Sequence, residues 1–174
     1  STPTDFATNS ALAVSNYPVW GTCPALFSGP GYLSFDSNGN LYIKDGGFGQ
    51  LIRKITPQGI VSTYAGSTSG DNGITNGNLS NATFHGLGDM VFDSSGNMFI
   101  KSVGNTPAIR KITPQGNVST FAGPVQVNQY GFVNGNGTNA RFGGGGLSGG
   151  LAIDANGNLY TPDYSNNVIR KISP

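Results

Sequence analysis

A single cysteine, Cys23, a single histidine, His85, and a single tryptophan stand in a chain of 174 residues. One cysteine excludes an intrachain disulfide and any multi-thiolate zinc site. It leaves Cys23 as a buried small hydrophobe or, in an oxidising compartment, as half of an intermolecular bridge. One histidine is too few for a zinc centre of three or four nitrogen and sulfur ligands. A serine hydrolase would need that same histidine as its base, and no Gly-x-Ser-x-Gly elbow is present. Charge is sparse too, nine Lys and Arg against eight Asp and Glu. The basic residues recur singly and form no patch, which argues against a nucleic-acid partner. No apolar run approaches the roughly 18 residues of a membrane span, and no basic start leading into an apolar stretch marks an attached signal peptide. A chain opening at Ser1 without methionine points to cleavage or trimming, and an extracellular or cell-surface location is the expectation.

Glycine, at 28 residues, is abundant and asparagine accompanies it, while helix formers are scarce. That composition suits many tight turns between short strands. The turns recur because the chain repeats itself. Ile52-Arg-Lys-Ile-Thr-Pro-Gln-Gly59 returns unchanged at Ile109–Gly116 and, clipped, at Ile169-Arg-Lys-Ile-Ser-Pro174. Gly39-Asn-Leu-Tyr returns as Gly96-Asn-Met-Phe and Gly157-Asn-Leu-Tyr, at offsets of 57 and 61 residues. A tandem array of units of nearly 60 residues follows.

Inside each unit the apolar residues alternate. Leu33/Phe35, Met90/Phe92 and Leu151/Ile153 precede the turns Asp36-Ser-Asn-Gly-Asn40, Asp93-Ser-Ser-Gly-Asn97 and Asp154-Ala-Asn-Gly-Asn158. Period two followed by an Asp/Gly turn predicts strand, hairpin, strand. With Leu41-Tyr-Ile43, Leu51–Ile55 and Val61–Tyr64 after the turn, the unit amounts to four short antiparallel strands. Apolar residues on both faces of Leu51–Ile55 and Val168–Ile172 predict sheets covered on both sides by their neighbours, and so the blades of an all-β β-propeller.

The phrases Gly-Asn-Leu-Tyr, Ile-Arg-Lys-Ile-Thr-Pro-Gln-Gly, Ser-Thr-Phe-Ala-Gly and Gly131-Phe-Val-Asn-Gly-Asn-Gly-Thr-Asn-Ala-Arg-Phe142 resemble NHL repeats over about residues 25–174. The resemblance implies propeller blades, here about 25–66, 82–123 and 140–174, where familiar NHL propellers commonly have six. Enzymes of the same broad architecture include a peptidyl-amidoglycolate lyase whose metal site uses several histidines, which this chain lacks. No enzymatic activity and no cofactor are expected.

The third unit stops before its own Val-Ser-Thr-Phe strand, whereas Val14-Ser-Asn-Tyr17 stands alone ahead of the first unit and matches Val61-Ser-Thr-Tyr64. An incomplete blade exposes unpaired amides and carbonyls that demand a strand. Residues 1–24 therefore read as an arm whose strand, with Leu12, Val14 and Tyr17, completes the last blade of another copy along Val168, Ile169 and Ile172. Such head-to-tail contacts give a closed ring or a fibre. The open alternatives are a piece of a longer propeller and a binding module for a peptide, glycan or protein.

Other candidate chemistry is weaker. Asp36–Asn40 and Asp154–Asn158 resemble the start of a calcium loop, but the later glutamate is missing and an Asx-turn accounts for them, so no metal is expected. Arg53, Arg110 and Arg170, each followed by lysine, repeat too strictly for a ligand site. One member of each pair is expected between blades, bonded to carbonyls, and the other in solvent. Gly143–Gly150 lacks the Gly-Lys-Ser/Thr ending of a phosphate loop. Segments that break the repeat, 46–49, 104–107, 124–130 and 143–150, are where ligand specificity would reside. Asn78, Asn81, Asn117 and Asn136 head sequons and are candidate N-glycosylation sites in a secreted chain.

Overall fold

The computed structural model describes residues 27–46, 50–67, 73–144 and 149–174. Residues Leu12, Val14, Tyr17 and Cys23, with the whole 1–24 arm, lie outside them, as does Phe48. The described chain is all-β, built as β-propeller blades of antiparallel strands with only two single-turn 3-10 segments.

Blade I carries β1 (Pro30–Phe35), β2 (Leu41–Asp45), β3 (Leu51–Ile55) and β4 (Val61–Ala65) in sequential order. Blade II has β6 (Leu87–Phe92), β7 (Met98–Ser102), β8 (Ala108–Ile112) and β9 (Asn117–Ala122), with a two-residue β5 (Gly77–Asn78) added outside β9. Blade III has β10 (Ala152–Ile153), β11 (Leu159–Asp163) and β12 (Val168–Ile172), and no fourth strand among the described residues.

Local chemistry sets the hairpins. Asp36 Oδ1 accepts the amides of Asn38 and Asn40, both at 2.9 Å, while Oδ2 accepts Asn40 Nδ2 at 2.8 Å and the Tyr42 hydroxyl at 3.2 Å. Asp93 and Asp154 accept the same three nitrogen donors from their own turns, and Tyr160 supplies the hydroxyl to Asp154 at 3.1 Å, where blade II has Phe99. Both carboxylate oxygens are thus occupied by donors from their own turn, as an Asx-turn requires. Burial pushes the Asp36 pKa up, but the bonds from Asn40, Asn38 and Tyr42 outweigh it and hold the group below its usual range.

Because β2, β7 and β11 pair with β3, β8 and β12 in one common register, successive blades place equivalent residues at equivalent positions. Tyr42 and Ile52 on the trailing face of blade I pack with Met90, Met98, Ile100 and Ile112 on the leading face of blade II. Phe99 and Ile109 on the trailing face of blade II pack in turn with Leu151, Leu159 and Ile172 of blade III. The burial of these side chains between sheets is the main stabilising term, worth about 1.5–3 kcal/mol each.

The arginine of each Arg-Lys pair is the buried member. Arg110, fully buried, donates to the carbonyls of Thr83 at 3.0 Å and Thr75 at 3.1 Å. Burial lowers its pKa to about 10, still well above neutrality. Lys54, Lys111 and Lys171 instead place their ammonium groups over Tyr42, Phe99 and Tyr160.

Candidate functional site

Strand β12 repeats the sequence of β3 and β8 but not their surroundings. In the first two blades β4 and β9 run along that edge, and three contacts mark their presence. Arg53 Nε and Arg110 Nε each donate to a fourth-strand carbonyl, of Ser62 and Ser119, at 3.4 Å. Tyr64 meets Tyr42 edge-on with centroids 4.8 Å apart, and Phe121 meets Phe99 at 5.0 Å. Val61 and Val118 stand opposite Ile55 and Ile112. Arg170 Nε, the Tyr160 ring and Ile172 have no fourth-strand neighbour among the described residues.

In its place lies a slot of about 450 Å³, bounded by Arg170–Pro174 on one side, by Asn134–Gly137 on another, and by Phe121 and Phe142. The second wall matters because blade II uses the same feature. There β9 is paired on its outer side by β5, with Gly77 opposite Val118 and Asn78 opposite Asn117. Residues 134–137 repeat 76–79 and are held in the same way. Arg170 Nη2 donates to Asn134 Oδ1 at 3.0 Å as Arg110 Nη2 donates to Asn76 Oδ1 at 3.1 Å. The Gly123 amide donates to the Gly137 carbonyl at 3.1 Å as that of Gly66 donates to Leu79 at 3.0 Å. The slot therefore offers hydrogen-bonding backbone on two sides, which suits an extended peptide.

Arg170 is fixed before anything enters. Its Nη1 donates to Asp163 Oδ2 and to the Arg141 carbonyl, both at 3.0 Å, and its guanidinium lies 4.9 Å above the Phe142 ring. Asp163 in turn accepts the Gly143 amide through Oδ1 at 2.9 Å. A preorganised guanidinium with one N–H uncommitted is suited to receive a carbonyl at little entropic cost.

Val168, Ile169 and Ile172, expected to accept a strand, all lie on β12, but only Ile172 lines the slot, while Val168 and Ile169 line a separate depression with Pro162 and Tyr164. Asn134 and the 134–137 segment escaped the sequence reading, although their match to 76–79 carries the signal. Asn78, Asn81, Asn117 and Asn136 are all exposed. Asn78 and Asn117 prove to be direct cross-strand partners at the outer edge of blade II instead of loop residues. His85 sits in a turn, where Nδ1 accepts the Asn105 amide at 3.1 Å. Among the described residues no three His, Cys, Asp or Glu side chains gather as metal ligands, and no helix is long and apolar enough to cross a membrane.

A second departure from the repeat joins blades II and III. Lys101, fully buried, donates through Nζ to the carbonyls of Gly149 at 2.6 Å and Gly150 at 3.2 Å. Burial lowers its pKa to about 8, with the nearby Asp89 charge opposing the shift. Asp89 Oδ2 accepts the Leu151 amide at 2.8 Å, which fixes the start of the blade III sheet.

No protein-family model and no curated protein matches the chain. Among solved structures it is similar to a structural-genomics protein of unknown function from Bacteroides thetaiotaomicron, with TM-score 0.71 and 25% identity over 92% of this chain and 38% of that one. It is also similar to an auxiliary nutrient binding protein from Bacteroides ovatus, with TM-score 0.65 and 22% identity over 82% of this chain and 36% of that one. The chain thus spans somewhat more than a third of the length of each.

Proposed function

We propose that this chain is a non-enzymatic, NHL-type propeller protein that acts by strand completion. The blade III slot takes the Val14–Tyr17 strand of another copy, and the resulting head-to-tail assembly serves a structural or adhesive role outside the cell. The observation that carries this reading is the slot itself, whose equivalent in blades I and II is filled by a Val-Ser-Thr-aromatic strand. Transferred to blade III, the repeat sets Val14 opposite Ile172, the Ser15 carbonyl at Arg170 Nε, and Tyr17 on Tyr160. The test is particle mass by light scattering with negative-stain microscopy, on the wild-type chain and on Val14→Pro. Proline removes a ladder donor, so assemblies of the wild type should dissolve in the variant; a wild-type monomer, or an unaffected variant, rejects the reading.

A second reading, a binding module for a peptide, protein or glycan, is favoured by one cluster. Val125, Val127, Tyr130, Phe132 and Val133 are all at least 42% exposed along the connection between blades II and III. So many exposed apolar residues in one segment suit a recognition surface. That one similar structure is a nutrient binding protein is compatible with this reading at the level of fold. Partner binding lost on Tyr130→Ala and Phe132→Ala with assembly retained would favour it over strand completion.

A further inference from the structure

Strands that are antiparallel and sequential sort the connections of a blade onto two rims. Turns between first and second strands, and between third and fourth, lie on one rim. Turns between second and third strands, and the passages from blade to blade, open on the other. The first rim obeys the repeat: Asp36–Asn40 returns as Asp93–Asn97 and Asp154–Asn158, and Thr56–Gly59 as Thr113–Gly116. The second breaks it, since residues 104–107, 124–130 and 143–144, which depart from the repeat, all belong to its connections. A scaffold that fixes one rim and varies the other carries its specificity on the variable one.

These three segments, distant in sequence, meet between blades II and III. The Asn105 carbonyl accepts the Asn128 amide at 2.8 Å, and the Asn105 amide donates to His85 Nδ1 at 3.1 Å. Asn128 Oδ1 accepts the Tyr130 hydroxyl at 3.1 Å. The Tyr130 ring rests on Gly144, where a Cβ would lie 3.2, 3.4 and 3.5 Å from its Cγ, Cδ1 and Cδ2. Near-equal distances to three ring atoms mean that the ring lies face-on to the glycine, and a side chain at 144 would push it away. One face of the ring is thus seated on backbone and its hydroxyl is tethered, yet the residue is 42% exposed. Tyr130 is a flat apolar surface fixed in advance, which lowers the entropic cost of stacking a ligand on it.

The chemistry of the segments narrows the ligand. Residues 103–107, 123–131 and 143–144 contain no Asp, Glu, Lys or Arg, so they offer an anionic ligand no counter-charge. None of them belongs to a strand, which leaves no sheet edge for a peptide to extend. They carry instead the carboxamides of Asn105, Gln126, Asn128 and Gln129, groups that both donate and accept. A fixed aromatic face beside carboxamides matches a molecule that is apolar on one side and hydroxylated at its rim, as a sugar ring is. We propose, taking up the binding-module reading on which this rests, that the rim between blades II and III binds a neutral oligosaccharide. One sugar ring stacks on Tyr130, and its hydroxyls bond to the carboxamides of Asn105 and Asn128. Both blades that frame the site are present, and its residues lie inside the array.

Calorimetric titration of the full chain tests it, with cellohexaose, maltohexaose, mannohexaose and xylohexaose as neutral probes and hexagalacturonate as the anionic counterpart. At least one neutral probe should bind, and hexagalacturonate should not. Tyr130→Ala changes one exposed side chain, and unchanged circular dichroism and melting temperature would establish that it folds. It should weaken binding at least about tenfold. Tyr130→Phe keeps the ring and loses only the tether to Asn128, so it should weaken binding less than Tyr130→Ala. No binding of any neutral probe at millimolar concentration, equal binding of hexagalacturonate, or affinity unchanged in Tyr130→Ala overturns the oligosaccharide site. The binding-module reading fails separately: peptides selected by the chain from a random displayed library, and lost on Tyr130→Ala, would keep a module and discard the sugar, whereas failure of both sets of probes discards both.

Discussion

The ammonium of Lys101 sits 2.6 Å from the carbonyl oxygen of Gly149, in the blade that follows. It is a buried cation held by backbone dipoles and by no ion pair among the described residues. Its counterparts are Lys44 in blade I and Pro162 in blade III, so the repeat does not require it. Its pKa falls to about 8 from an ordinary 10.5, so the folded chain releases this proton before the unfolded one does. Where the unfolded state binds more protons, stability rises with pH. Resistance to urea should therefore increase between about pH 8 and 10, above which the raised pKa values of buried Tyr42 and Tyr64 oppose the trend. Lys101→Met should lose the rise; urea midpoints measured across this range decide it.

Arg110 and Arg170 occupy equivalent places with unequal partners. Asp163 pairs with Arg170 at 3.0 Å, while the equivalent position beside Arg110 is Ser102. Removing Arg170 strands a fully buried carboxylate; removing Arg110 strands only carbonyls and an asparagine oxygen. Arg170→Met should cost about 3–5 kcal/mol, and Arg110→Met about 1–3 kcal/mol, even though Arg110 is the more buried of the two. Chemical denaturation of both variants checks the order, and an equal loss would contradict it.

Two glycines separate backbone strain from crowding. Gly59 has φ +82° with open space where a Cβ would go, whereas Gly123 has φ +102° and its Cβ would lie 2.9 Å from Ala108 Cα and the Pro107 carbonyl. Gly59→Ala should cost about 1–2 kcal/mol from the left-handed backbone alone. Gly123→Ala should cost more, since backbone atoms of β8 and its approach must move. Thermal melts of the two variants, compared side by side, give the measurement.

What the sequence disclosed was what depends on near neighbours. The Asp36, Asp93 and Asp154 turns, the alternation of Leu33/Phe35 and its repeats, and the burial of one member of each Arg-Lys pair all follow from residues a few positions apart or from the repeat; that the arginine is the buried member came from the structure. The repeat also showed that the Val-Ser-Thr-aromatic phrase does not recur after β12, where the structure has no fourth strand of blade III among the described residues. The second wall of the slot was not legible, because it depends on 134–137 folding back beside β12, which a one-dimensional reading sees only as another Asn-Gly loop. Lys101 was hidden for a similar reason. Its partners are carbonyls 48 and 49 residues away, and carbonyls leave no mark on side-chain pattern. Gly149 and Gly150 supply those carbonyls, and Gly143 the amide bound by Asp163.

The slot between β12 and residues 134–137 has a consequence for any strand that enters it. A strand laid against an ordinary sheet edge leaves its own far edge bare, ready to recruit another and another without limit. In blade II the outer edge of β9 is capped by β5 at Asn117 and Val118, and a strand entering this slot would meet the same short cap on its outer flank. If copies join here as proposed, each joint would shield part of the edge that made it, which disfavours open-ended sheet growth.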